Sequence, residues 1–223
     1  MDVYQHEFVE FMVRADVLTF GDFTTKSGRR TPFFINTGRY RTGDQLNQLA
    51  RYYADAIIAQ GIEFDFLFGP AYKGIPLVTA VSMELARRGR NVPFCFNRKE
   101  VKDHGEGGSL VGHRPADGER ALIVEDVTTA GTSIRETVPM LRQAADVDVA
   151  GLIVSVNRME RGTGEKNALT ELREEFDMET FAIVTIVEIA DYLRGREVDG
   201  GVVVTEELFD RIQQYRAQYG GLE

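Results

Sequence analysis

The chain contains one cysteine, Cys95, so an intramolecular disulfide framework is excluded. Cys95 stands in an apolar run with no base evident beside it, which reads as a small core residue and not a nucleophile. Histidine is scarce, and His6 and His113 fall at no metal-ligand spacing, so a zinc centre is not expected. No apolar run approaches the ~18 residues of a membrane-spanning helix. The opening Met1-Asp2-Val3-Tyr4 lacks the pattern of a secretory leader, and the expected location is cytoplasmic. Positive charge is short as well: 26 Lys and Arg against 35 Asp and Glu leave a net charge of -9. A nucleic-acid backbone or an anionic membrane needs a basic surface, so neither is expected as a partner. Small anionic ligands stay open, because a few cations suffice when they are gathered in one pocket.

What is present is ordinary globular material without internal repeats, long enough at 223 residues for one α/β domain with small additions. Tyr4, Phe8, Phe11 and Met12 recur at the spacing of an amphipathic helix. Residues 20–36 carry Gly21, Gly28 and Pro32 among aromatic and basic side chains, and read as short strands and loops. A second helix is predicted over residues 44–60, with Gly61 as its stop. Beyond it, apolar runs at 64–68, 92–96, 121–124, 149–156 and 181–187 alternate with helical segments, the pattern of a parallel sheet covered on both faces. Ligands of such sheets sit beyond the carboxyl ends of the strands. Pro139, inside a helix expected from 132 to 145, removes a backbone donor and predicts a kink.

The residues after three of these runs are the unusual ones. Leu122-Ile123-Val124 is followed by Glu125, Asp126, Val127, Thr128, Thr129, Ala130, Gly131, Thr132 and Ser133. A loop of small and hydroxylated residues opening a helix can turn N–H groups and hydroxyls toward one phosphate. The two carboxylates cannot share that phosphate, but they can accept from sugar hydroxyls and stabilise cationic charge on a ribose. The competing reading is an acidic turn with a Ser/Thr helix cap. The spacing of a Walker P-loop is absent. After the first run, Gly69-Pro70-Ala71-Tyr72-Lys73-Gly74 offers glycines for close backbone approach and a cation, although Gly-Pro turns with a lysine are common. After the second run, Arg98, Lys99, Lys102, Asp103 and His104 precede Gly105, Gly107 and Gly108. This reads either as a mobile lid that closes over a polyanion or as a solvated mixed-charge hairpin. Lys26 and Arg158, taken alone, are better explained as ordinary surface cations.

The 122–133 segment resembles the phosphoribosyl pyrophosphate (PRPP) motif of type I phosphoribosyltransferases. The succession from Arg98 to Gly108 resembles the catalytic loop of the orotate-specific branch, and Thr24-Thr25-Lys26-Ser27-Gly28 resembles its signature near the amino terminus. The resemblance spans nearly the whole chain. It implies the fold of that family: a parallel central sheet flanked by helices, a single domain over 1–223, hood elements in 1–40 and a mobile loop over 98–113. It implies transfer of ribose 5-phosphate from PRPP to orotate, giving orotidine 5'-monophosphate and pyrophosphate through a ribosyl cation-like transition state. Lys73, Lys102, Asp103 and His104 become the catalytic set. Tyr72, Lys73, Arg98, Lys99, Lys102, His104 and residues 125–133 become the PRPP site. Lys26, Phe34, Ile35, Thr129 and Arg158 become the orotate site, with the planar fork of Arg158 on the carboxylate. Magnesium is implied as an ion held mainly through PRPP, with no direct protein ligands, and a homodimer with shared sites is implied too. Glu125 stands where many members have Asp, Ile35 where Phe is frequent, and the 113–118 stretch is longer than usual. A purine or uracil phosphoribosyltransferase would share the PRPP motif without needing Lys26 and Arg158. A PRPP-sensing regulator would be expected to lack the catalytic loop and to carry a DNA-binding segment.

Overall fold

The computed structural model describes residues 1–25, 28–99 and 109–222. Helix α1 (Val3–Arg14) leads into an antiparallel hairpin of β1 (Leu18–Thr24) and β2 (Arg30–Ile35), then a 3-10 turn over Thr37–Arg39. Helix α2 (Gly43–Gln60) begins at a reciprocal cap between Thr42 and Gln45 and ends at Gly61, whose φ of 66° is the left-handed stop that the sequence signals. The remaining elements alternate: β3 (Phe66–Gly69), α3 (Gly74–Arg87), β4 (Phe94–Asn97), β5 (Leu110–Gly112), β6 (Arg120–Val124), α4 (Thr132–Ala144), β7 (Asp148–Asn157), α5 (Ala168–Phe176), β8 (Glu179–Thr185) and α6 (Ile186–Leu193). A short pair, β9 (Glu197–Val198) and β10 (Gly201–Val202), and helix α7 (Glu206–Tyr219) follow.

The main sheet has the order β5-β4-β3-β6-β7-β8, parallel throughout except for β5, which runs antiparallel at the edge. Its side chains alternate between two cores, as a strand period of two requires. Phe66, Phe68, Cys95, Ala121, Ile123, Leu152 and Val154 face Ile134 and Val138 of α4 and Leu172 of α5. Leu67, Leu122, Val124 and Ile153 face the opposite way, in the larger core with Phe8 and Met12 of α1, Tyr53 and Ile57 of α2, and Val78 of α3. Cys95 is buried, and burial followed by the nearby Glu119 carboxylate pushes its thiol up to about 12, so it packs as a neutral apolar group. The hairpin lies outside the sheet, braced by α7 through Phe33 edge-on to Tyr215 at 5.7 Å. Among the described residues no helix is long and apolar enough to cross a membrane.

The topology locates the site. From β3 the chain moves outward to β4 and β5, then returns to place β6 on the other side of β3. The carboxyl ends of β3 and β6 therefore flank a reversal in strand order, where a crevice opens between loops leaving in opposite directions.

The 181–187 run does not form one strand. β8 stops at Thr185, whose hydroxyl accepts from Glu188 N while the Glu188 carboxylate accepts from Thr185 N and Oγ1, so Ile186 and Val187 open α6. A local cap overrides the β-propensity of Ile and Val. Pro139 lies inside α4 with an exposed ring, and the helix runs through it to Ala144. Replacing Thr185 with Ala should cost about 1 kcal/mol of stability. Urea unfolding checks this, and an unchanged midpoint would show that the cap is incidental to the β8-to-α6 break.

Candidate functional site

The loop after β3 is shaped by close backbone contact. A Cβ on Gly69 would lie 2.3 Å from the Gly74 carbonyl oxygen, and one on Gly74 would lie 2.7 Å from the Gly69 carbonyl carbon. The glycines expected to admit a ligand thus first allow the loop to fold onto its own strand. Ala71 N donates to Asn97 Oδ1 at 2.7 Å, tying this loop to the end of β4. Lys73 then reaches across the crevice: its Nζ donates to Asp126 Oδ2 at 2.9 Å and to Thr37 Oγ1 at 3.0 Å, and Thr37 Oγ1 donates to the same Asp126 oxygen. Loops after β3, β6 and β2 meet at one carboxylate.

The backbone at Asp126 is fixed as firmly as its side chain. The buried Tyr53 hydroxyl donates to the Glu125 carbonyl at 2.7 Å, and Ser155 donates to the Asp126 carbonyl through N at 2.9 Å and Oγ at 2.7 Å. The Glu125 side chain is only 7% exposed and folds back, Oε1 accepting from Asp126 N at 3.0 Å and Oε2 from Ser133 Oγ at 3.1 Å. Burial, then the Asp126 charge, raises Glu125 to about 7. For Asp126 burial works in the same direction, but hydrogen bonds from Thr37 and Lys73 outweigh it and hold the carboxyl below its usual value. The two acids of the motif have separated into a firm anion and a group half protonated near neutrality.

Beyond them the loop offers donors. Gly131, at φ 74°, forms the N-cap of α4, and its N–H is taken by Thr128 Oγ1 at 3.1 Å. Among the described residues, no acceptor meets the backbone N–H groups of Thr128, Thr129, Ala130, Thr132 and Ser133. Thr129, Ala130 and Thr132 are exposed, and Val127 is half-buried. Ser133 spends its hydroxyl on Glu125, which a reading of the motif alone assigned to a phosphate.

On the far side of the sheet's end, Arg158 follows β7 and is 9% exposed. Its Nε and Nη2 donate to Glu160 Oε1 at 3.0 and 2.5 Å, and its guanidinium lies 4.7 Å from the centre of the Phe33 ring. Phe34 is exposed and stacks on Phe23 at 5.5 Å, whereas Ile35 packs against the larger core. The strand period turns these two side chains to opposite faces, so they do not form one continuous surface. Tyr72 is exposed, with Lys99 Nζ 5.3 Å from its ring centre. Arg98 N donates to Ser109 O at 2.7 Å, which closes the base of the 98–113 loop. Lys26, Lys102, Asp103 and His104 lie outside the described residues. The 113–118 stretch is an ordered turn: the Glu119 carboxylate meets His113 Nε2 and Ala116 N, both at 2.8 Å.

Five residues enter the site without a sequence signal pointing to it. Thr37 lies just past the hairpin, outside the Thr24-to-Gly28 signature. Tyr53 appears in the periodicity only as a core position. Ser155, Glu160 and Tyr215 acquire their roles from partners distant in the chain.

Comparison with known proteins agrees with this geometry. Residues 37–192 match the model of the phosphoribosyl transferase domain family. An orotate phosphoribosyltransferase of Clostridium acetobutylicum is 57% identical over 222 residues, 99% of both chains. One from Thioalkalivibrio sulfidiphilus is 48% identical across 99% of this chain and 100% of its own. The crystal structure of an orotate phosphoribosyltransferase from Francisella tularensis matches with a TM-score of 0.84 at 37% identity, covering 96% of this chain and 100% of that one.

The raised Glu125 has a measurable consequence. The folded protein keeps a proton that the unfolded chain releases around the ordinary carboxyl value of 4.5, so this group favours folding fully below that pH and loses the contribution as pH rises to about 7. Glu125→Gln should remove this decline. Urea unfolding of both proteins between pH 4.5 and 8 should show the variant gaining on the wild type up to about 7 and then running parallel; parallel profiles throughout would refute the shift.

Proposed function

The chain belongs to the orotate phosphoribosyltransferases, and from that premise we propose that it transfers ribose 5-phosphate from PRPP to orotate in the crevice where β3 and β6 end, with Asp126 as the anionic pole. The observation that carries this reading is the meeting of Lys73, Thr37 and Asp126 at one oxygen. An arriving pyrophosphate offers Lys73 more negative charge than one carboxylate does. Lys73 then turns to it, and Asp126 becomes free to accept from the ribose hydroxyls. The 128–133 N–H groups and the amino end of α4 take the 5-phosphate. With the sugar held at both ends, the C1–O bond to pyrophosphate breaks as orotate N1 bonds to C1 from the opposite face, and the N1 proton is released to water or to the departing pyrophosphate. Asp126 stabilises the positive charge that develops on the ribose, and positioning supplies much of the acceleration.

Magnesium fits this donor set. Among the described residues no three acidic, histidine or cysteine side chains gather into a metal group, while two carboxylates stand beside the crevice. The fit would be that of a hard cation bound mainly to PRPP oxygens, with Asp126 as the neighbouring negative charge. When bound, it would offset charge on the departing pyrophosphate. Tyr72, Arg98, Lys99, Lys102 and His104 take the same leaving group in this reading, with Asp103 beside them. Lys26, Phe34, Thr129 and Arg158 hold the base, whereas Ile35, expected beside Phe34, is turned into the core by the strand period and takes no part. The substrates are charged metabolites, and the reading places the reaction in the cytoplasm.

Orotate differs from uracil by the carboxylate assigned to Arg158. The kcat/KM for uracil should therefore be lower by at least about 100-fold, since a buried donor edge of Arg158 then loses the acceptor it is assigned. Comparable turnover of the two bases would remove the assignment.

The reading extends to a homodimer in which the 98–113 loop of one subunit serves the site of its partner. Lys102→Ala and Asp126→Ala homodimers should each be nearly inactive. Refolded together, half of the dimers are mixed, and each mixed dimer has one site with both groups intact. About a quarter of wild-type activity should return. Mixed dimers confirmed by mass but without activity would show that the loop serves its own chain.

A further inference from the structure

Arg158 has two edges with which to meet a carboxylate. The side edge presents Nε and Nη2, and the end edge presents Nη1 and Nη2. Here the side edge is taken, because both of its nitrogens donate to Glu160 Oε1. Glu160 is 5% exposed, and two further groups converge on it. The Tyr215 hydroxyl of α7 donates to the same Oε1 at 2.9 Å, Arg29 Nη1 stands 3.8 Å from Oε2, and the Phe33 ring supports the guanidinium from its face. Elements from the hairpin, the β7 end and the carboxyl-terminal helix thus meet at one buried carboxylate.

A buried ion pair of this kind is weak evidence for stability, because desolvation offsets the attraction. Its geometric effect is clear: with one edge pinned and one ring face covered, Arg158 loses the rotamer freedom that an unpaired arginine keeps. We infer that Glu160, held by Tyr215, is the positioning residue that presents only the Nη1–Nη2 edge of Arg158 to the base, so that the substrate carboxylate is taken end-on and the carboxyl-terminal helix takes part in base recognition. This rests on the assignment of Arg158 to orotate.

A positioning role predicts a change confined to one substrate. In Glu160→Ala the orotate KM should rise about tenfold or more, the loss expected when a charged hydrogen-bond partner is removed. The PRPP KM should stay within about twofold and kcat within a few-fold. Tyr215→Phe, which removes one hydroxyl and keeps the ring, should shift the orotate KM in the same direction by about two- to fivefold. Glu160→Gln retains an oxygen acceptor and should recover much of the lost orotate affinity, which a purely structural lesion would not predict. Arg158→Ala, assayed alongside, separates the two layers. If it raises the orotate KM while Glu160→Ala and Tyr215→Phe leave it unchanged or lower it, the positioning role is overturned and the base site stands. If Arg158→Ala itself leaves the orotate KM unchanged, the underlying assignment fails. Should Glu160→Ala not fold, Tyr215→Phe and Glu160→Gln decide, because a rise in the PRPP KM equal to that for orotate in those variants would also overturn the proposal.

Discussion

Everything at the crevice depends on keeping one negative charge in place at the carboxyl end of β6. Asp126 is largely withdrawn from water, which opposes its ionisation, and it stays charged because Lys73 and Thr37 donate to it. Its main chain is pinned from two sides, by Tyr53 of α2 through the preceding carbonyl and by Ser155 of β7. A carboxylate whose main chain is held this way keeps its place when its side-chain partners change. The arrangement requires β6 to stand between β3 and β7, since Lys73 comes from one side and Ser155 from the other. The reversal of strand order is thus the condition for the contact.

The same device appears a second time. Arg158 is buried with Glu160 much as Lys73 is paired with Asp126, so each cation meets a carboxylate of its own chain. In the proposed reading, such pairs let a chain of net charge -9 gather cations for anionic substrates. Its surface excess of acid does not matter at the site, because local cations and backbone N–H groups set the potential there. The paired acids divide their labour for a related reason. Glu125 has no cation of its own, so burial and the neighbouring charge raise it, and its longer chain reaches back to Ser133 and the Asp126 N–H.

Much of this was legible in the sequence. The strand runs, the helix stop at Gly61, the core position of Cys95 and the motif from Glu125 to Ser133 all rest on short-range patterns. Hydrophobic period, turn chemistry and local spacing are properties of neighbours in the chain. The error at residues 181–187 has the same origin, because a run of apolar residues does not reveal that a Thr and a Glu three residues apart will stop a strand and start a helix.

By itself the sequence determined the sheet-and-helix alternation, the chemical class of each loop and the motif that resembles a PRPP loop. Only the tertiary structure decided which residues touch. Thr37 and Asp126 are 89 residues apart, Tyr53 and Glu125 are 72 apart, and Tyr215 and Glu160 are 55 apart. The register of strands and the packing of helices bring these pairs together. No local pattern encodes such partnerships, because they arise from the order in which β3, β6 and β7 lie side by side and from the way α7 closes over the hairpin.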